Sequence, residues 1–148
     1  MRFMMIMIPR VYQPDVPPGE MPGESFAPPP DAVSRMTKFN EELAKSGALL
    51  ALEGLQPSSK GARVAFNGGK PRTIDGPFAG AKEVIGGYWL IDVPSKQQAI
   101  DWARKCPAVD GDVIEIRQVF EMSDFPADVQ KAAESATVSA QVGRRRGS

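Results

Sequence analysis

The chain contains no histidine and a single cysteine among its 148 residues. The absence of histidine excludes serine–histidine and cysteine–histidine nucleophile pairs, an imidazole general base and any zinc site built on imidazole. Because Cys106 has no second cysteine to pair with, an internal disulfide is excluded as well. Catalysis, if there is any, has to use carboxylates, lysine, tyrosine, the one thiol or backbone groups, and we predict neither a metal site nor a bound cofactor.

Net charge and long apolar runs are also lacking. Lys+Arg and Asp+Glu both number 18, so the formal net charge is zero, which argues against the basic footprint of a nucleic-acid-binding protein. The apolar runs are shorter than the roughly 20 residues of a membrane span. The apolar stretch Arg2 to Ile8 is followed at once by Pro9 and is too short for a signal-peptide core. We therefore expect a single-domain cytoplasmic protein that binds neither nucleic acid nor a membrane.

The first third of the chain contains a strand, a loop and a helix. Phe3 to Ile8 is apolar at every position, which predicts a strand covered on both faces and central in its sheet. The proline-rich stretch Tyr12 to Pro30 predicts a long loop, either a lid or a plain surface excursion. Asp31 is the predicted N-cap of a helix that runs to about Ser46, and Gly47 provides its left-handed stop.

Further strands follow in the middle of the chain. Ala48 to Leu52 is predicted as a second buried strand, and Ala62 to Phe66 with Arg72 to Ile74 as a hairpin around Asn67-Gly68-Gly69. Val84 to Val93 is the longest strand candidate. Its internal Gly86-Gly87 pair indicates a bulge or a close approach of another backbone or a ligand.

The last third is predicted to add a helix, a strand and a tail. Ser95 and Gln98 form a capping box for a helix that ends at Cys106, before Pro107. Val113 to Phe120 is a strand with alternating faces, and a short helix follows from Pro126 to about Ser135. From Ala136 onward we predict a mobile tail.

This order of elements predicts an α+β domain with the ferredoxin-like βαββαβ plan and an inserted hairpin. In that plan two helices cover one face of an antiparallel sheet. The strands carry apolar residues on both sides, so the second face needs a cover of its own. A second copy of the same sheet would supply it, which predicts a homodimer in the form of a dimeric α/β barrel.

Two motifs resemble a known family. Asp75-Gly76-Pro77-Phe78 precedes the Gly86-Gly87-Tyr88-Trp89 strand, and Glu53-Gly54-Leu55 lies upstream. Together with the order of elements they resemble the YCII-related family, and within it the DGPF subgroup. The resemblance implies a YCII-related domain over residues 1–122, followed by a short helix and tail over residues 123–148. It also implies a ferredoxin-like dimer with face-to-face sheets.

The same resemblance limits what can be transferred about activity. The resemblance implies, for enzymatic relatives, a dyad of a histidine on the first helix and an aspartate at the end of the second. These positions fall near Met36 and Cys106 in this chain, so both members of the dyad are missing. Hydrolase or dehalogenase activity is therefore not carried over.

Several residues are candidates for a site, each with a structural alternative. Asp75 either fixes the turn through backbone N–H groups or presents a carboxylate to a pocket, and it is a weak catalytic candidate. Glu115 and Arg117 form either a salt bridge at the dimer interface or part of a polar ligand site. Either Tyr88 or Trp89 belongs to the core while the other lines a cleft, Phe78 is expected to fill the core, and Cys106 is expected to be a small buried helix-end residue. The candidate ligand-binding residues are Arg72, Asp75, Lys82, Trp89, Glu115 and Arg117.

The leading hypothesis is a dimeric small-molecule-binding or accessory domain, with a regulatory role left open. Its ligand is expected to be anionic or aromatic. The alternative is an enzyme that acts on a small substrate by carboxylate-based proton transfer at Asp75, with Arg72 or Lys82 stabilising charge. A purely structural interaction protein is the third hypothesis.

Overall fold

The structure is a computed structural model that describes residues 1–17, 19–20, 23, 27–78 and 83–146, the last four of these as backbone only. The strands of this part of the chain are β1 (Arg2–Ile8), β2 (Leu49–Gly54), β3 (Ala62–Asn67), β4 (Lys70–Asp75), β5 (Gly87–Asp92) and β6 (Val113–Gln118). The helices longer than one turn are α1 (Pro30–Lys45), α2 (Lys96–Lys105), α3 (Ala127–Ala132) and α4 (Ala136–Arg146).

Four strands form an antiparallel sheet in the order β2-β5-β1-β6. β1 and β2 are parallel to each other but separated by β5, and β5 and β6 are likewise separated by β1. Each helix therefore connects two strands that have a third between them, as in the split βαβ unit. The α+β architecture is confirmed and is compatible with a ferredoxin-like fold, with β1 central as predicted; the sheet of this chain stays open and closes no barrel within the described residues.

Both long helices pack on the same face of this sheet. Phe3 and Met5 of β1 and Ile91 of β5 point to this face and are almost fully buried. Phe39 and Leu43 of α1 pack against them. The cluster also includes Ala99 of α2, together with Ala48, Trp89 and Val93. The opposite surface, here called the open sheet face, carries Met4, Ile6, Tyr88, Leu90, Glu115 and Arg117. Met4, Ile6 and Leu90 are only half-buried there.

The helix ends follow the predictions in part. Gly47, with φ of 78°, ends the first helix as predicted, and Ser95 Oγ accepts the N–H of Gln98 at 3.2 Å to cap α2. The assignment of Asp31 as N-cap is wrong, because Pro29 occupies that position and α1 begins two residues earlier than predicted, at Pro30. Asp31 lies instead in the first turn, where it accepts a hydrogen bond from Arg35 at 2.7 Å.

Two strand predictions need correction. β2 is an edge strand with mostly exposed residues, so the prediction of a buried strand from Ala48 to Leu52 is wrong. The strand predicted from Val84 to Val93 begins only at Gly87. The side-chain amide of Gln13 explains the late start: it accepts the N–H of Val84 at 2.9 Å and donates to its carbonyl at 3.0 Å. A buried glutamine thus takes the place that a neighbouring strand would occupy.

The predicted hairpin is present and forms a sheet of its own. β3 and β4 pair in antiparallel register, and this two-stranded unit (residues 62–75) is called the ribbon below. Gly68 and Gly69, with φ of 57° and 77°, make the two-residue turn. Every residue of both strands is exposed.

The segment predicted as a mobile tail is helical. α4 covers Ala136–Arg146, so the secondary structure differs from the prediction. Val138 and Val142 line a cavity of about 620 Å³ together with Phe120 and Arg2. Arg2 itself is held by Glu121, which accepts hydrogen bonds at 2.6 and 3.0 Å.

Removal of α4 tests whether this helix contributes to stability. Val138 is 60% exposed and Val142 45% exposed, so little apolar area is buried by the helix. We expect truncation after Ser135 to change the free energy of unfolding by no more than about 0.5 kcal/mol, the usual range for surface changes. Urea titration of both proteins measures this difference. A loss above about 1.5 kcal/mol would contradict the prediction and show that α4 packs as a structural element.

No helix in the described part of the chain is both long and apolar enough to cross a lipid bilayer.

Candidate functional site

A cavity of about 290 Å³ lies between α1 and the sheet and is here called the α1 cavity. Its floor and sides are mainly apolar, and polar groups are confined to a few positions. This is the usual composition of a small-molecule site, although the volume is at the lower end of the range for such sites. The lining residues are Met7, Met36, Asn40, Leu52, Glu53, Gly54, Gly86, Gly87, Tyr88 and Trp89.

Trp89 is the best-positioned aromatic group of this cavity. Its indole Nε1–H donates to Asn40 Oδ1 at 2.8 Å, and its ring meets Phe39 edge-on with centroids 5.8 Å apart. Both contacts come from one turn of α1, so the helix fixes the orientation of the indole. Because Asn40 uses its oxygen to accept from Trp89, its amide N–H groups remain the donors that this residue offers.

The glycine pair at the start of β5 forms another wall. A Cβ atom on Gly87 would lie 2.7 Å from the carbonyl oxygen of Glu53 on the neighbouring strand, and one on Gly86 would lie 2.5 Å from Pro9 Cγ. The prediction that another backbone approaches closely at this pair is therefore confirmed for Gly87. Glycine is needed here because any side chain would push β2 and β5 apart.

The charged side chains of the chain are directed away from the α1 cavity. No lysine or arginine stands among the described lining residues. Glu53 lies opposite Tyr88 in the β2–β5 register, so both side chains project to the open sheet face and these two residues only border the rim of the cavity. Asn40 contributes amide donors. A neutral ligand with an acceptor group would meet favourable groups in this arrangement, whereas an ion of either sign would lose its hydration without gaining a partner of opposite charge.

The structure disperses the candidate residues that were singled out from the sequence. Trp89 lines the α1 cavity and is a core residue at 6% exposure, while Tyr88 at its rim is half-buried. Asp75 ends β4 and Arg72 lies in the middle of that strand, and both are exposed on the ribbon. Lys82 lies outside the described residues.

Glu115 and Arg117 lie together on the edge strand β6. Arg117 Nη1 is 3.4 Å from Glu115 Oε1, with both side chains on the open sheet face and substantially exposed. An exposed pair of this kind contributes little to stability, at most about 1 kcal/mol. The pair is thus compatible with either of its two predicted roles, at a dimer interface or at a polar site.

Phe78 of the DGPF motif is not a core residue, which corrects that expectation. It is half-buried at the base of the ribbon, where the Arg63 guanidinium lies 4.2 Å from its ring centroid. Phe78 and Arg63 line a second cavity of about 430 Å³ together with Lys60 and Ile85. The cation–π contact gives the half-buried ring a charged neighbour at the base of the ribbon.

Cys106 occupies the end of α2 as predicted and is half-buried. Burial and, to a smaller extent, the nearby Asp112 carboxylate together raise the pKa of its thiol to about 11. The thiol is thus protonated at neutral pH and is a poor nucleophile. In the part of the chain that the structure describes, acidic and cysteine side chains form no cluster suited to a metal ion.

Sequence reasoning missed several lining residues of the α1 cavity as site candidates, among them Asn40, Leu52 and Glu53. For Asn40 a signal was present. It follows Met36 by four residues and lies beside Phe39, so a polar amide stands on the apolar face of an amphipathic helix. For Glu53 the corresponding signal was its place in the Glu53-Gly54-Leu55 motif.

These features define an α+β domain with a split βαβ sheet and a small cavity beneath its first helix. The chain belongs to the YCII-related domain family, whose sequence profile matches residues 1–123. It is also 32% identical over 69 residues to an uncharacterized protein of Rhizobium meliloti (strain 1021), a match that covers 47% of this chain and 56% of the relative. The match thus spans little more than half the length of that relative.

Proposed function

We propose that this chain is a small-molecule-binding domain of the DGPF subgroup, and that its ligand occupies the α1 cavity. The observation that carries the proposal is the fixed indole of Trp89, which Asn40 and Phe39 hold at the wall of a largely apolar cavity. The position of Met36 supports it as well. The resemblance to the YCII-related family places the dyad histidine of enzymatic relatives near Met36. Since Met36 lines the α1 cavity, this cavity corresponds to the site implied for those relatives.

The proposed ligand is a small, neutral aromatic or aliphatic molecule. The volume of about 290 Å³ suits a molecule of one or two rings. The amide N–H groups of Asn40 favour an acceptor group on the ligand, and no charged side chain points into the cavity from the described lining residues. This revises the expectation of an anionic ligand, because the cations Arg72 and Arg117 lie elsewhere on the chain.

We also propose that the domain acts as a cytoplasmic homodimer through its open sheet face. The half-buried Met4, Ile6 and Leu90 support this, since a partner sheet would remove them from water. The exposed Glu115–Arg117 pair on β6 would lie at the rim of such an interface. Carboxylate-based proton transfer at Asp75 remains the alternative hypothesis, but the exposed position of this residue on the ribbon gives it no support.

Binding can be tested with three fragments of different charge: indole (neutral), benzylamine (cationic) and benzoate (anionic). A Trp102→Phe background leaves Trp89 as the one tryptophan, since the chain has two, so its Nε1–H gives a single indole signal in ¹⁵N–¹H NMR spectra. We expect indole to shift this signal with a dissociation constant at least tenfold lower than those of benzylamine and benzoate. Equal or tighter binding of either charged fragment would contradict the proposed ligand class, and the absence of any saturable response would contradict the site.

Filling the cavity provides the matched mutational test. Met36→Phe adds a ring to the cavity and is expected to weaken fragment binding at least tenfold. Val33→Phe, an exposed position on the same helix, serves as control and is expected to leave binding unchanged within a factor of two. If both variants bind like the parent protein, the fragments lie outside the α1 cavity. Circular dichroism melting of each variant confirms that the fold is retained.

A further inference from the structure

The second cavity, of about 430 Å³, lies at the base of the ribbon and is here called the ribbon-base cavity. It shares no described lining residue with the α1 cavity. Its volume lies within the usual range of small-molecule sites. Apolar and polar side chains both line it, the apolar ones being Leu55, Pro57, Phe78, Val84 and Ile85, and the polar ones Gln56, Ser58, Lys60, Arg63 and Glu83. The cavity is therefore amphipathic and separate from the site proposed above.

The Gly-Pro-Phe part of the DGPF motif forms one wall of this cavity. The N–H of Gly76 donates to the carbonyl of Gly61 at 2.9 Å, and a Cβ atom on Gly76 would overlap the carbonyl oxygen of Ser58. Glycine is needed here because a side chain would separate the two backbone segments. The Phe78 ring lies against the same segment, with Cζ 3.8 Å from the Cβ position of Gly61. The motif thus fixes an aromatic ring beside the turn that carries Lys60.

Two cations of the cavity offer N–H groups to a ligand. The Arg63 guanidinium places its flat face on the Phe78 ring, with Cζ 4.2 Å from the ring centroid. A guanidinium stacked in this way keeps its N–H groups in its own plane, where they stay available as donors. Across the described residues, neither these N–H groups nor the Lys60 ammonium has an acceptor. Arg63 can therefore bind two oxygens of one anion, and Lys60 can add a point charge.

The charges around the cavity suit a doubly charged anion. In the register of the ribbon, Arg72 is the diagonal neighbour of Arg63 on the same face, at roughly 7 to 8 Å. Asp75 lies on the opposite face. Lys60, Arg63 and Arg72 against Glu83 give three positive charges and one negative charge, a net charge of +2. A phosphate monoester carries a charge of about −1.5 to −2 at neutral pH and offers three acceptor oxygens.

We propose that the ribbon-base cavity is a second binding site of this chain, and that it takes a phosphate monoester with a small aromatic or aliphatic body. Arg63 and Lys60 bind the phosphate oxygens. Leu55 and Ile85 are each 46% exposed at the cavity, so the body of the ligand would remove apolar surface from water. The DGPF motif, which the α1 cavity does not use, then has the role of building this site. The inference depends neither on a ligand in the α1 cavity nor on the homodimer.

Titration with phenyl phosphate, followed in ¹⁵N–¹H NMR spectra, tests the site. The backbone amide signals of Gly61 and Gly76 report on the ribbon-base cavity, and the Nε1–H signal of Trp89 in the Trp102→Phe background reports on the α1 cavity. We expect phenyl phosphate to shift the two glycine signals saturably, with a dissociation constant at least tenfold lower than those of phenol and of inorganic phosphate. No saturable shift, or equal affinity for inorganic phosphate, would overturn the proposal. A saturable shift of the Trp89 signal alone would also overturn it, because the ligand would then lie in the α1 cavity.

Substitutions that remove one charge provide the mutational test. Arg63→Gln and Lys60→Gln are each expected to raise the dissociation constant of phenyl phosphate at least tenfold. The matched control is Lys70→Gln, which removes a charge from the same face of the ribbon but at its far end, and is expected to change this constant less than threefold. Lys60 lies outside the ribbon, so its substitution leaves the contact of Arg63 with Phe78 in place. Parental affinity in Lys60→Gln, or an equal effect of Lys70→Gln, would overturn the proposal.

Discussion

Replacing Leu43 by alanine is expected to lower the free energy of unfolding by about 3 to 5 kcal/mol, the largest effect of any single substitution proposed for this chain. Leu43 is fully buried where α1 meets the sheet and contacts the cluster that contains Phe3, Met5 and Ile91. Truncation removes its transfer free energy and leaves a cavity that β1 and β5, paired on both sides, cannot close by moving. A domain of this size has a total stability of only about 5 to 15 kcal/mol.

Leu55→Ala is the matched control for this substitution. It deletes the same atoms at a position that is 46% exposed and is expected to cost less than about 1 kcal/mol. Urea unfolding followed by circular dichroism gives both values. A cost for Leu43→Ala no greater than that for Leu55→Ala would mean that α1 does not pack on the sheet as described, and would also remove the wall that supports the α1 cavity.

The main sheet was predictable because its strands and helices have strong local patterns. Uninterrupted apolar residues from Phe3 to Ile8 indicated a central strand, and β1 indeed has neighbours on both sides. The Gly68-Gly69 turn and the stop at Gly47 followed from the need for positive φ. In each case a short segment contains all the information required.

The errors arose where a distant residue replaced a local partner. Val84 is a residue type that favours strands. However, its backbone N–H and C=O are hydrogen-bonded to the side chain of Gln13, 71 positions earlier, instead of to a neighbouring strand. Phe78 was expected in the core because it is hydrophobic. Its ring instead contacts Arg63, a residue of β3 that is brought next to Phe78 only by the tertiary fold. Contacts of this kind are set by tertiary structure, which local patterns do not encode.

The site candidates show the same limit. Trp89 could be singled out because aromatic and glycine residues in one strand are a local signal, and it does line the α1 cavity. Asp75, Arg72, Glu115 and Arg117 were grouped by chemistry, and the topology then separated the ribbon from β6 at the far edge of the sheet. Asn40 and Leu52 line the same cavity although they belong to different elements, an arrangement that only the packing of α1 on the sheet creates.

A second large effect on stability is expected at a pair of glycines that face each other across two strands, Gly54 on β2 and Gly87 on β5. Gly54 and Gly87 lie directly opposite each other, yet their surroundings differ. A Cβ atom on Gly87 would lie 2.7 Å from Glu53 O, a backbone atom that cannot rotate away, whereas one on Gly54 would have no neighbour within 4 Å. Neither glycine has the positive φ that would strain a side chain by itself.

Gly87→Ala is therefore expected to destabilise the fold by about 1 to 3 kcal/mol through overpacking between strands. Gly54→Ala is expected to be neutral or to stabilise by up to about 1 kcal/mol, because alanine restricts the unfolded chain more than glycine does. The two substitutions thus have opposite expected effects on the free energy of unfolding at one cross-strand pair, and guanidinium unfolding measures both.

Because Glu53 and Gly87 both line the α1 cavity, the strand separation in Gly87→Ala should also weaken indole binding at temperatures where the variant is still folded. A Gly87→Ala protein with parental stability would show that β2 lies further from β5 than the structure places it, and parental indole affinity in a destabilised variant would move the ligand away from this wall.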